Sequence, residues 1–199
     1  IFNLSGYSAP ESTSATQLAE NQFRVIQTSG SGNLTGNFST VSLGGSTSSV
    51  DYLTMTATND GQNYDIGLAL TWYAAHTITP EHALGTFTLS AANEFFDLDV
   101  LLADETANAT TGWDGKTLTK AGAGTLQLSK SNTYTGSTLI NGGTLLAGGT
   151  DIIADSSKVT VASGANFDLN HFNQRVNNLS GAGNVILGDA ILTTNNTLD

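Results

Sequence analysis

The residues with chemistry in them are few and widely spaced. Three histidines occur in 199 positions, His76, His82 and His171. His76 and His82 flank a loop that holds Pro80 and Glu81. An imidazole–carboxylate pair for proton transfer or metal binding is therefore the first arrangement to weigh. Loop histidines more commonly do no chemistry, and no Gly-x-Ser-x-Gly elbow stands beside them for acyl transfer. Asp97 and Asp99 follow at spacing i, i+2, with Asp104 and Glu105 just beyond. Their oxygens could hold Ca²⁺ or work as a glycosidase pair. The simpler reading is a solvated strand face whose charge discourages edge-to-edge pairing. The repeat of Ca²⁺-binding β-rolls is absent.

The second half of the chain offers Asp114, Asp151, Asp155, Asp168, Asp189 and Asp199 as acids. Its bases are Lys116, Lys120, Lys130, Lys158 and Arg175. Most fall at turns, where solvation explains them. Trp72, Tyr73 and Trp113 could stack on sugars. Trp72, however, lies in the apolar register of its strand, and Trp113 falls where it would pack one region onto the next. Cysteine is absent, which excludes disulfide scaffolds, thiolate metal sites and cysteine nucleophiles. We assign no catalytic, cofactor-binding or metal residue and expect no cofactor.

The elements that would position these groups read as strands. Thr, Val, Ile and aromatics alternate with Gly, Asn and Asp, the vocabulary of strands and tight turns. Charged residues make up only 12% of the chain, low for helical domains. The net charge of −11 argues against nucleic acid and anionic lipid as partners. The most apolar run, Ile66 to Ile78, is too short to span a bilayer. Thr16 to Ile26 suits a short helix or a strand equally. From Val41 to Ala103 we expect an antiparallel meander of about four strands. Asn59-Asp60-Gly61 would turn its first hairpin, because Gly accepts the positive φ that such turns demand. Phe87, Leu89, Phe96, Leu98, Val100 and Leu102 would supply the later strands.

Past Gly112 the texture changes to Gly-rich turns on a beat. Leu126, Leu145, Phe167 and Val185 recur about every twenty residues, a solenoid period. A coil cannot bury its apolar residues alone, so coils stack about 4.8 Å apart with small residues at the corners. We therefore expect an all-β chain of two regions. Residues 1–112 would form an antiparallel meander or cap, and residues 113–199 a parallel β-helix of four or five coils.

Residues 112–128, Gly-Trp-Asp-Gly-Lys-Thr-Leu-Thr-Lys-Ala-Gly-Ala-Gly-Thr-Leu-Gln-Leu, lead into a second run at 132–145, Asn-Thr-Tyr-Thr-Gly-Ser-Thr-Leu-Ile-Asn-Gly-Gly-Thr-Leu. Together they closely resemble the passenger-associated transport repeat of type V autotransporters, including AIDA-like and antigen 43-like adhesins. The resemblance implies a right-handed parallel β-helix exported by Gram-negative bacteria through a C-terminal β-barrel absent here. It implies attachment to the outer membrane surface or secretion. It further implies a non-catalytic role in adhesion or self-association, with host or bacterial surface molecules as partners and a membrane met only through that barrel. A folding segment that promotes export is the alternative, and a carbohydrate-active β-helix enzyme the second alternative.

Overall fold

The computed structural model describes residues 13–20, 22–29, 32–36, 50–76, 82–154 and 157–196. It opens with a short helix α1 (Ala15–Glu20) and strand β1 (Gln22–Gln27), so the ambiguous stretch holds both. Strands β2 (Leu53–Asn59) and β3 (Asn63–Leu70) then form a hairpin. β1 and β2 both pair antiparallel with β3 in a three-stranded sheet. The expected turn is present. Gly61 takes φ +91°, and its N–H donates to Asn59 Oδ1. The Asp60 carboxylate accepts from Gln62 N, Asn63 N and Asn63 Nδ2.

Next come β4 (Thr86–Thr88) and β5 (Phe95–Leu98). The coils continue through β6 (Leu118–Ala121), β7 (Thr125–Leu128), β8 (Thr138–Ile140) and β9 (Thr144–Ala147). They end with β10 (Lys158–Val161), β11 (Asn166–Asp168), β12 (Gln174–Val176), β13 (Asn178–Gly181), β14 (Asn184–Ile186) and β15 (Leu192–Thr194). Two five-stranded parallel sheets run β4-β6-β8-β10-β13 and β5-β7-β9-β11-β14, and β12 pairs with β15 on a third side. This is a parallel β-solenoid.

The twenty-residue beat lies inside it. Phe96, Leu126, Leu145, Phe167 and Val185 pair in register, one per coil. Leu126, Leu145 and Phe167 are fully buried, and Val185 packs half-buried against the core. A second column, Leu98, Leu128 and Ala147, is sealed from solvent beside it. Burying such a side chain contributes about 1.5–3 kcal/mol, and no coil could do it alone.

One expectation is corrected. Phe87, Leu89, Phe96 and Leu98 do not belong to an antiparallel meander. β4 and β5 pair parallel with β6 and β7, so the coil stack begins before the boundary expected at 112/113. Strands of either sheet type alternate with period two, so local pattern cannot separate them. Val41 to Ser49, the start of the expected meander, lies outside the described residues.

The antiparallel sheet closes the near end of the stack. The first coil would otherwise present an open apolar end and strand edges ready for foreign pairing. The Tyr52 ring instead lies 5.4 Å from Phe87 and 5.2 Å from Phe96, over the core. On the β4 edge, Thr88 N donates to Asp51 Oδ1 at 2.9 Å. On the β5 edge, Asp97 N donates to Thr13 O at 2.8 Å. On the third side, Ala74 N donates to Leu101 O and Trp72 Nε1 to Ala103 O. Trp113 packs edge-on against Trp72, their ring centroids 4.9 Å apart, at the junction where it was expected.

Candidate functional site

The candidate acids and histidines are dispersed by the fold. Asp97 Oδ1 accepts from Ser129 Oγ at 2.6 Å, whereas Asp99 Oδ1 accepts from Thr16 N at 2.8 Å. Burial pushes the Asp99 carboxyl upward, but hydrogen bonds from Thr16 and Ser14 together hold it below the ordinary range. Asp104 grips Thr135 through both oxygens, and Asp114 grips Thr117 in the same way. Each of these acids has a structural partner: Asp97 holds a hydroxyl of the next coil, and Asp99, Asp104 and Asp114 each satisfy a backbone N–H. Glu81, Asp155 and Asp199 lie outside the described residues. Among those described, no three His, Asp or Glu side chains gather as a metal ion would need.

His82 is exposed, whereas His76 lies between the cap strand β3 and the stack. There His76 Nδ1 meets Glu105 Oε1 at 3.3 Å, and Nε2 meets Leu70 O at 3.1 Å. Only 10% of the His76 side chain and 9% of that of Glu105 remain exposed, and Glu105 Oε2 has no hydrogen-bond partner. Burial lowers the His76 pKa, against a pull upward from the Leu70 carbonyl. Burial likewise raises that of Glu105, against a backbone bond from Tyr73. Both shifts favour the neutral forms. With Nε2–H donating to Leu70 O, Nδ1 is left as an acceptor facing Glu105 Oε1. Glu81, the acid nearest His76 and His82 in sequence, lies outside the described residues. Glu105 is 29 positions from His76 and no local spacing points to it.

His171 Nδ1 also finds an acid, Asp189 Oδ1 at 2.5 Å in the next coil, but both side chains are largely exposed. Such a pair contributes little. Of the candidate bases, Lys130, Lys158 and Arg175 are exposed, as is Lys116. Lys120 is the exception. It is fully buried, and Nζ donates to Ala121 O, Gly122 O and Gly142 O. Burial lowers its pKa to about 8, with Glu94 pulling the other way.

The outward face is a different kind of surface. On the sheet containing β7, β9, β11 and β14, Thr125, Thr144, Asn166 and Asn184 stand in register on consecutive coils. Asn184 Nδ2 donates to Asn166 Oδ1 at 3.1 Å, and Asn166 Nδ2 to Thr144 Oγ1 at 3.5 Å. On the other sheet, Thr160 and Ser180 hydroxyls are 3.1 Å apart. These are flat polar ladders with a rung spacing of about 4.8 Å.

The stretch from β6 to β9 carries the decisive match, for the family model of the passenger-associated-transport-repeat covers residues 118–147. These residues are a passenger-associated transport repeat. In a parallel β-solenoid, this repeat supports a type V autotransporter passenger domain and points to a surface-exposed or secreted protein. No curated protein matches the chain. The passenger repeat fills the second and third coils, and its glycines sit where coils touch. A Cβ on Gly122 would lie 2.0 Å from Leu89 O, and one on Gly143 2.3 Å from Gly124 O.

Proposed function

We propose that this passenger segment is a non-catalytic stalk that presents its polar ladders for adhesion or self-association at the bacterial surface. The observation that carries this reading is the in-register column Thr125, Thr144, Asn166 and Asn184. Each hydrogen bond that such a rung offers a partner contributes only about 0.5–1.5 kcal/mol net, so one rung binds nothing firmly. A column repeated along a rigid axis multiplies weak contacts, and many copies on a cell multiply them again. The net charge of −11 is spread along the chain and keeps unmatched surfaces apart.

The test displays the chain on bacterial cells and measures their settling and their binding to surface glycans and proteins. Thr144→Lys with Asn184→Lys places two cations in the ladder on alternate coils. Loss of aggregation or binding, with an unchanged circular dichroism spectrum, supports the reading. Unimpaired aggregation and binding in the variant overturns it.

A second reading is favoured by the description of the matched family, which ties the repeat to passenger transport. On that reading the coils at 118–147 serve folding during export. Packing changes there would then reduce the amount of protein reaching the surface, and ladder substitutions would leave both surface amount and aggregation untouched.

A further inference from the structure

Asparagine followed by glycine is the pair at which a chain most readily modifies itself. Glycine has no side chain to keep its backbone nitrogen away from the preceding amide carbon. The sequence holds one such pair, Asn141-Gly142, and two aspartate counterparts, Asp60-Gly61 and Asp114-Gly115. The fold treats the three differently. The Asp60 carboxylate is held by Gln62 N, Asn63 N and Asn63 Nδ2, and the Gly61 N–H that would attack it donates to Asn59 Oδ1. Asp114 is held by Lys116 N, Thr117 N and the Thr117 hydroxyl. Asn141 instead stands exposed at the corner between β8 and β9. Among the described residues its side chain has no hydrogen-bond partner, and neither has the Gly142 N–H. The backbone on either side is anchored to the coil beneath. Asn141 N donates to Lys120 O at 2.8 Å, and Gly142 O accepts from Lys120 Nζ at 3.1 Å. Between these anchors the amide and the nitrogen that would attack it are both unoccupied.

We propose that Asn141 is a self-modification site of the folded solenoid. Gly142 N gives up its proton to solvent and attacks Asn141 Cγ. The N–Cγ bond forms, the Cγ–Nδ2 bond breaks, and Nδ2 leaves as ammonia. Water then opens the cyclic imide. Cleavage between nitrogen and Cγ gives aspartate, and cleavage between nitrogen and the α-carbonyl carbon gives isoaspartate, whose chain runs through the former side chain. Nothing is oxidised or reduced, and water is the only co-reactant. Both products add a negative charge, and isoaspartate also lengthens the backbone by one carbon, about 1.5 Å. The corner has no room for that extra carbon. A Cβ on Gly142 would lie 3.1 Å from Gly122 O, and one on Gly143 2.3 Å from Gly124 O. Isoaspartate at 141 therefore lifts the Gly142–Gly143 turn off the coil beneath and loosens the junction of the second and third coils.

The test ages the folded chain at mildly alkaline pH, where Gly142 N loses its proton more readily. Trypsin then releases residues 131–158 as one peptide. That peptide carries its own control, since Asn132 is buried with both amide atoms bonded. Fragmentation in the mass spectrometer locates the deamidated residue, and enzymatic methylation labels isoaspartate. Asn141 should convert at least fivefold faster than Asn132 and every other asparagine, with isoaspartate labelled at 141 and not at Asp60 or Asp114. Converted chains, separated by anion exchange, should unfold at lower urea than the parent, whereas Asn141→Ser aged in parallel keeps its midpoint. Conversion of Asn141 no faster than that of the other asparagines, or only in the urea-unfolded chain, overturns the proposal. Equal labelling at Asp60 or Asp114 overturns the role given to the hydrogen bonds. An unchanged midpoint in the isoaspartate form, or an equal fall in aged Asn141→Ser, overturns the loosened corner.

Discussion

Gly112 and Gly122 share a φ of +75°, yet their surroundings differ completely. Nothing lies within 4 Å of a Cβ built on Gly112, whereas one on Gly122 would lie 2.0 Å from Leu89 O and 2.5 Å from Leu89 C. Substituting each by alanine separates backbone strain from coil contact. Left-handed backbone costs a non-glycine residue about 1–2 kcal/mol, and restricting the unfolded chain returns about 0.4–1 kcal/mol. Gly112→Ala should therefore destabilise by roughly 1 kcal/mol. Gly122→Ala carries the same strain and must also push the Leu89 carbonyl from 2.0 Å to an ordinary contact of 3.4 Å or more. That carbonyl accepts from Gly124 N at 2.9 Å, and Leu89 N donates to Ala121 O at 3.1 Å. Losing two such bonds at the junction of first and second coils adds about 1–3 kcal/mol. Urea unfolding followed by circular dichroism reads both variants against the parent. Equal losses would refute the reasoning, because they would mean that conformation alone, and not the approach of coils, selects glycine at this corner.

Phe167 is fully buried between Leu145 and Val185, so Phe167→Ala should cost about 3–5 kcal/mol in the same assay. At pH 7.5, Glu105→Gln should match or exceed the parent in melting temperature, since the amide supplies a donor to His76 Nδ1 in place of a carboxyl whose charged form burial disfavours. Glu105→Ala should lose about 1–3 kcal/mol by leaving Nδ1 unpaired. Asp60, held down to about 2 by bonds from Asn63 and Gln62, contributes stability present above its ordinary 3.8 and lost as pH falls through about 2. Urea midpoints between pH 5 and pH 2 should therefore fall more steeply for the parent than for Asp60→Asn, and equal slopes would contradict this.

The strand vocabulary, the Asn59-Asp60-Gly61 hairpin and the twenty-residue column were legible because they depend on local rules. Side-chain alternation, turn conformation and the need to stack recurring apolar residues are all written at short range. The column Leu126, Leu145, Phe167 and Val185 emerges where spacing alone put it. Other features were settled only when distant segments met. Phe87 and Phe96 alternate in a parallel rung just as they would in a hairpin, so only their pairing with Lys120 and Leu126 makes them part of the first coil. His76 lies near Glu81 in sequence but bonds to Glu105, because the cap folds back on the third side of the stack. Lys120 read as one more solvated base at a turn, since its inward register became visible only with β6 between β4 and β8. Period and turn chemistry are properties of neighbours along the chain. Strand direction, burial of a charge and the partner of a buried acid are properties of neighbours in space, and they exist only once the coils have stacked.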